Sequence, residues 1–483
     1  MRFSPAIFPF VYSVVTAFAG SPYEIRDIPI PEGVSAEVSA IELLPGEKLA
    51  VATRRGEIFT VDGAFADDPS KASWTLFAEG LHEPLGLSFK DGWLYVTQRP
   101  EVSRLKDTDA DGRADVFKTV NSDWGINGNY HEYAFGSRHD RDDNIWVVLC
   151  LTGSGGADSD YRGWCVRVTP DGKMIPTVSG IRSPGGIGKN HLGDMFYCDN
   201  QGFWNGSSSL KHLKPGGFCG VPTGNKYYAL TDVLGPRPSD PENGGRMTTE
   251  RDRIPQLVPP AVYFPHSKVG RSPTGIACDE SGGKFGPFEN QLFVGEQTYS
   301  EVQRVFLEQV NGVYQGACFH FMEGYASGNV AVRLAPDGSL FVGGTARGWG
   351  VKGKKYFAFQ RVRWNGETPF EIKEMRARPD GFELVFTAPA DPGVTSDPAS
   401  YTMEAYTYIY QESYGSPEVD KSTPTIRSVS LSPNGLRARL TVDGLVRGHV
   451  HELHATGVRS AGGDPTPLLH PTAYYTLNEI PSD

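Results

Sequence analysis

The chain has 483 residues, more than one core normally serves, so its length points to two domains or one large repeat architecture. A formal net charge of -11 argues against a nucleic-acid partner, which requires a basic stripe, and favours solubility. With 57 glycines, 36 prolines and 11% aromatic residues, the short Val, Ile and Phe runs between turn residues indicate an all-β protein.

The first stretch, "MRFSPAIFPFVYSVVTAFAG", carries Arg2, an apolar run, and then Ala17-Phe18-Ala19, the small-x-small pattern that precedes a cleavage site. It predicts a signal peptide over residues 1–19 and a secreted or periplasmic mature protein. No later apolar run is long enough to span a bilayer. Six cysteines lie between Cys150 and Cys318, and in an oxidising compartment sequence neighbours are expected to pair: Cys150 with Cys165, Cys198 with Cys219, Cys278 with Cys318. The absence of C-x-x-C-H excludes covalent haem on this chain.

From residue 20 to 368 a unit of two apolar runs, a turn and further runs recurs. It reads "ELLPGEKLAVATRRGEIFTVDG" from Glu42 and "GLSFKDGWLYVTQRPEVSRLKD" from Gly86, and it returns four more times up to "RLAPDGSLFVGGTARGWG" with "YFAFQRVRWNG". Six such units predict a six-bladed β-propeller, in which each blade buries its faces against its neighbours. In a blade, the approach to the first strand and the exit of the second share one face. Approaches give His82, Arg182 and Arg271 in x-P-x-G settings, and "NYHEYAFG" gives His131, Glu132 and Tyr133. Exits give Arg54, Arg55, Gln98, Arg99, Asp199, Asn200, Gln201, Glu296, Gln297, Arg347 and Trp349. The expectation is a convergent ring of cations, imidazoles and amides suited to a carbohydrate or other small polar ligand.

Within the second unit, "LKDTDADGRADVF" places Asp107, Asp109 and Asp111 on alternate residues, followed by Gly112 and Asp115. Carboxylates at that spacing on a tight turn can converge on one calcium ion. An EF-hand is disfavoured, because Lys118 stands where a bidentate Glu is required. The loop falls between third and fourth strands, opposite the ring, so the expected ion is structural. Residues 369–483 change character and read as a small Ig-like β-sandwich. There His451 and Glu452 point to opposite faces, so the His451, Glu452 and His454 strand is read as solvated and not as a metal site.

The runs "NYHEYAFGSRHDRDDNIWVVL", "GIRSPGGIG" and "GGFCGVP" resemble the soluble quinoprotein glucose and sorbosone dehydrogenase superfamily, over roughly Glu24 to Gly366. A closer likeness, through "GWCVRVTPDGK", "DNQG", "GRSPTGIACDESGGKFGPF" and "GGTARGWG", is to a secreted bacterial branch of it. The resemblance implies six-bladed propellers that hold pyrroloquinoline quinone and calcium and oxidise sugars, with an external electron acceptor as a further partner. By position it implies that His131 is the general base and that Arg182 stands beside the quinone carbonyls. The candidate cofactor-binding residues are Asn200, Gln201, Arg271, Gln297 and Arg347, with Arg271 and Arg347 offering charge from positions other than the family's. Gln297 stands where the family has a lysine, and Ser327 and Asn329 where it has a closely spaced arginine pair. Two other readings stay open: a cofactor-free hydrolase or lyase acting on a uronate or sulfated sugar, and a non-catalytic glycan-binding propeller.

Overall fold

The computed structural model describes residues 21–153 and 155–482, so the expected signal peptide lies outside the described residues. Six sheets follow one another along the chain. The first is Val38–Leu44, Lys48–Thr53, Ile58–Asp62 and Ser73–Ala78, and the second is Gly86–Lys90, Trp93–Thr97, Val102–Lys106 and Val116–Asn121. The third is Ala134–His139, Ile145–Leu149, Trp164–Val168 and Met174–Ser179; the fourth is Pro184–Lys189, Met195–Asp199, Ser208–His212 and Pro260–Phe264. The fifth begins Pro273–Cys278, Leu292–Glu296, Glu301–Val310 and Val313–Met322, and the sixth has Asn329–Leu334, Leu340–Thr345 and Phe357–Trp364. Each sheet's first strand packs against the first strand of the next, and Asn329–Leu334 packs back on Val38–Leu44, so the ring closes as in a β-propeller.

The strand Ile145–Leu149 shows why the sequence folds this way. Every residue in it is buried. Ile145, Val147 and Leu149 join a core shared with Val102 of the second sheet, while Trp146 and Val148 join one shared with Ile187 and Met195 of the fourth. Period-two alternation thus feeds both faces, because each sheet is covered on both sides. The first hairpin of the second sheet turns at Asp91 and Gly92, both with positive φ (50° and 75°), as a two-residue turn of type I′ demands.

The sixth sheet departs from a simple repeat. Its outer strand is Tyr23–Asp27, which pairs antiparallel with Phe357–Trp364 from Tyr23 opposite Trp364 to Asp27 opposite Gln360. The chain therefore closes its ring by sewing its beginning onto the last sheet.

The C-terminal residues form two sheets, and one of them is continuous with the propeller. Thr472–Leu477 pairs with Val313–Met322, so the fifth sheet runs on through His449–His454, Thr402–Tyr408 and Glu418–Ser422 to eight strands. The second sheet, Ile372–Arg378, Gly381–Phe386, Arg437–Asp443 and Thr425–Leu431, packs over it. Phe306 and Phe319 of the fifth sheet share that core with Met375, Phe382, Leu440 and Tyr475. The expectation of a solvated strand at His451 is corrected here. His451 is fully buried beside Phe382, with ring centroids 5.4 Å apart. Glu452, on the other face, accepts from Lys268 Nζ at 2.6 Å and from the Tyr406 hydroxyl at 2.9 Å.

The expected disulfides are also corrected, since all six cysteines are free. Cys278 and Cys318 lie on the first and fourth strands of the fifth sheet, linked in register through Leu292 and Val305. Three strand spacings, about 14 Å, separate them, far beyond disulfide reach. Cys198 and Cys219 belong to different cores on opposite faces of the fourth sheet.

Candidate active site at the mouth of the ring

The hairpin geometry brings the approaches and exits together. Arg54, His131, Tyr133, Asn200, Gln297 and Trp349, from five different sheets, line one central pocket of about 60 Å³. It adjoins a wider cavity of about 520 Å³, lined by Arg54, Arg55, His82, Arg99, Tyr130 and Arg347 among others.

Two buried carboxylates organise these arginines. Glu83 accepts from Arg54 Nε at 2.8 Å and from Arg99 Nε at 2.7 Å, tying the first sheet to the second. Glu37, with no exposed surface, pairs with Arg55 at 3.0 Å and with Arg347 at 3.3 Å, tying the sixth sheet to the first. Arg99 also donates to the carbonyls of Asn129 (2.9 Å) and Tyr130 (2.6 Å) and lies 4.9 Å from the Tyr133 ring centroid, so it fixes the segment that carries His131. Burial pushes the Tyr130 phenol up, but the hydrogen bond with Tyr133 and the Arg54 charge outweigh it, and its pKa lies below the ordinary value. Glu132 borders the wider cavity, but its carboxylate is occupied, accepting from Thr152 (3.0 Å), Ser159 (2.9 Å) and the Asn127 amide (2.7 Å). The roles of Glu37 and Glu83 were missed in the sequence. Glu83 adjoins His82 in "GLHEPLGL", and only its burial marks it out.

His131 is half-buried, held through its amide by Asn129 Oδ1 at 3.0 Å. Partial burial, and then the charges of Arg182 and Arg99, lower its pKa below that of an ordinary imidazole, which favours the neutral form. Arg182 is 3% exposed. Its Nη1 donates to the carbonyls of Asn200 (3.2 Å) and Gln201 (2.9 Å), and its Cζ lies 5.8 Å from the Phe203 ring and 5.3 Å from the Tyr414 ring. Among the described residues no carboxylate pairs with it. The alternative role of a ring arginine, an ion pair between neighbouring sheets, falls instead to Arg54, Arg99 and Arg347.

The remaining expected cofactor residues are placed unevenly. Asn200 lines the central pocket, and its Oδ1 is buried without a partner. Gln201 spends its side-chain amide on the Gly206 carbonyl (3.1 Å), and Gln297 spends its own on that of Thr345 (3.1 Å). Ser327 and Asn329 donate to the carbonyls of Tyr356 (3.2 Å) and Glu301 (2.9 Å). Arg271 is exposed at the rim, 5.8 Å from the Tyr299 ring.

The acidic loop lies at the far end of its sheet. Leu105 is registered opposite Leu94, next to the Asp91–Gly92 turn, so residues 107–115 sit on the face away from the mouth. Carboxylate oxygens of Asp107, Asp109 and Asp111 lie within 4.8 Å of one another. Asp115 is not in that cluster; it accepts from the amide (2.9 Å) and hydroxyl of Thr108. The loop also grips the first sheet, through Ala114 N to Phe77 O at 2.8 Å and Arg113 to Glu79 at 3.0 Å.

Comparison with known proteins bears on the fold. No curated protein matches the sequence. An oxidoreductase (glucose dehydrogenase) from Thermus thermophilus superposes with a TM-score of 0.50 at 18% identity, over 70% of this chain and 99% of that one. A carbohydrate-active enzyme of family AA12 from Trichoderma reesei gives 0.51 at 12% identity, over 75% and 100%. The quinone-bound aldose sugar dehydrogenase of Streptomyces coelicolor gives 0.49 at 17%, over 71% and 98%. Residues 66–343 match the model of the family described as "Domain of unknown function (DUF7133)". The chain belongs to that family, and its fold is the β-propeller fold shared with the Thermus and Trichoderma proteins.

Proposed function

We propose that this protein oxidises a carbohydrate hydroxyl at the mouth of a six-bladed propeller, with residues 369–482 as an Ig-like sandwich joined to the fifth blade. The observation that carries this is that His131 lines the central pocket while the buried Arg182, which no carboxylate among the described residues pairs with, lies close enough for its charge to act on the imidazole. Oxidation of an alcohol removes a proton from oxygen and a hydride from carbon. His131 takes the proton, for which a neutral imidazole is required. Arg182 supplies fixed positive charge where negative charge develops.

The mouth fits an anionic acceptor by charge. Arg54, Arg55, Arg99, Arg182, Arg271 and Arg347 outnumber their paired carboxylates, Glu37 and Glu83, and Asn200 Oδ1 awaits a donor. Pyrroloquinoline quinone, when bound, supplies a two-electron hydride acceptor, and Arg182, Asn200 and Arg54 are the residues that would hold it. A calcium ion at Asp107, Asp109 and Asp111 is assigned a structural role. The Ala17-Phe18-Ala19 signal supports a secreted or periplasmic location, where an external electron acceptor would reoxidise the site.

A second reading, a cofactor-free hydrolase or lyase, is favoured by one observation. Gln297, Ser327 and Asn329 are all spent on backbone carbonyls and offer nothing to a quinone carboxylate. The deciding experiment is dye-coupled oxidation of an aldose panel after reconstitution with quinone and calcium, beside the same panel without quinone. Oxidation that requires quinone supports the first reading. Sugar cleavage without quinone supports the second, and binding without turnover supports a glycan-binding propeller.

A further inference from the structure

The C-terminal unit reaches back to the mouth. Beyond Thr402–Tyr408 the chain forms a loop, residues 409–417, that lies on the segment following Asp199 in the fourth sheet. Backbone hydrogen bonds hold it there: Trp204 N to Gln411 O at 2.7 Å, Gly415 N to Gly202 O at 3.1 Å, and Ser416 N to Gly206 O at 3.0 Å. Its base is tied by Gly244 N to Tyr410 O at 3.0 Å and Tyr410 N to Gly245 O at 3.1 Å. The loop so anchored presents Tyr414, edge to face with Phe203 at 5.7 Å and 85°.

Arg182 therefore lies among two carbonyls, the bare face of Gly202 and two aromatic rings, one of them from the far end of the chain. The choice of rings has a chemical consequence. A carboxylate would hold the guanidinium as firmly but would cancel its charge, whereas an aromatic face attracts a cation through its quadrupole and leaves the charge in place. Glu37 and Glu83 do the former for their arginines.

We propose that Tyr414 is a positioning residue of the mouth: the C-terminal unit sets the Tyr414 ring beside that of Phe203, so that the two together flank the Arg182 guanidinium, and the site is incomplete without it. This rests on the reading of Arg182 as the charge-stabilising group. Tyr414 is 62% exposed, so its truncation opens no core.

The test uses the full-length chain with Tyr414→Ala, Tyr414→Phe and Arg182→Ala, and two readouts. The first is the NMR titration of the His131 imidazole, assigned by its loss in His131→Ala. The groups around that ring are the cations Arg182 and Arg99, Arg54 across the central pocket, and the phenols Tyr130 and Tyr133, while the Glu132 carboxylate is occupied by Thr152, Ser159 and the Asn127 amide. Arg182→Ala should raise the His131 pKa by removing a neighbouring positive charge. Tyr414→Ala should move it the same way, and Tyr414→Phe should leave it unchanged. The second readout is turnover on an oxidised aldose. Tyr414→Ala should lower kcat about tenfold with KM nearly unchanged, which corresponds to about 1.4 kcal/mol and lies between the worth of an exposed and of a desolvated cation–π contact, as suits an exposed ring on a buried guanidinium; Tyr414→Phe should restore it. Wild-type titration and turnover in Tyr414→Ala, with both altered in Arg182→Ala, would overturn the proposal and leave the mouth reading intact. If Arg182→Ala itself alters neither, the assignment of Arg182 fails and the role of Tyr414 falls with it.

Discussion

Gly202→Ala puts the geometry of the mouth under direct strain. The backbone there has no left-handed φ, so alanine meets no local obstacle. Its Cβ, however, would lie 1.9 Å from Arg182 Cζ, 2.1 Å from Nε and 2.3 Å from Nη2. Carbon atoms in contact sit about 3.5–4.0 Å apart, so the guanidinium must retreat by roughly 1.5–2 Å. That retreat breaks its bonds to the Asn200 and Gln201 carbonyls. A misplacement of about 1 Å at a reacting centre can cost on the order of 10²-fold, and the same loss is expected in kcat here. Steady-state oxidation of an aldose by Gly202→Ala, Arg182→Ala and the double variant is the assay. Because the alanine acts only through Arg182, it should add nothing in the Arg182→Ala background. Wild-type turnover in Gly202→Ala, or an equal further loss in the double variant, would refute the reasoning.

Replacing Asp109 and Asp111 by Asn should lower the melting temperature in calcium and remove its dependence on calcium, since an ion that binds only the folded state stabilises it by mass action. Turnover at a permissive temperature should survive, because the loop lies at the end of its sheet away from the mouth. Acid stability should report on His451, whose pKa burial pushes from 6.5 down to about 3. Between those values the unfolded chain holds a proton that the folded chain does not, so stability falls as pH drops through that window, by up to about 1.4 kcal/mol per pH unit. Urea unfolding across that range should show a shallower fall in His451→Gln than in the wild type, and an unchanged slope would remove His451 from the account.

The parts of the fold that were legible in the sequence rest on short-range rules. Period-two burial in Ile145–Leu149 and the Asp91–Gly92 turn are written locally, and once a hairpin is placed its approach and exit must share an end. That is why His131, Asn200 and Gln297 were assigned to one mouth and are found lining one pocket. What was not legible depends on pairings between distant segments. Nothing near Tyr23 announces Phe357–Trp364 as its partner, and nothing in "YGSPEV" announces that Tyr414 lies on Arg182. The polar run "HVHELH" reads as solvated until a sheet covers one face and Lys268 meets the other. Charge counting along the sequence also found the arginines of the ring without finding which would be neutralised, because Glu37 and Glu83 are identified only by burial against them.

The central claim is that chemistry resides at His131 and Arg182 and not in the cationic mouth at large. The most direct measurement compares turnover of His131→Ala, Arg182→Ala and His82→Ala on one oxidised sugar. His82 is exposed and lines the same mouth, so it controls for general effects of altering the rim. The account predicts losses of roughly two to four orders of magnitude for His131→Ala, the usual worth of a positioned base, and about 10²–10³ for Arg182→Ala. His82→Ala should remain close to the wild type. Equal losses at all three positions, or wild-type turnover in His131→Ala, would contradict it.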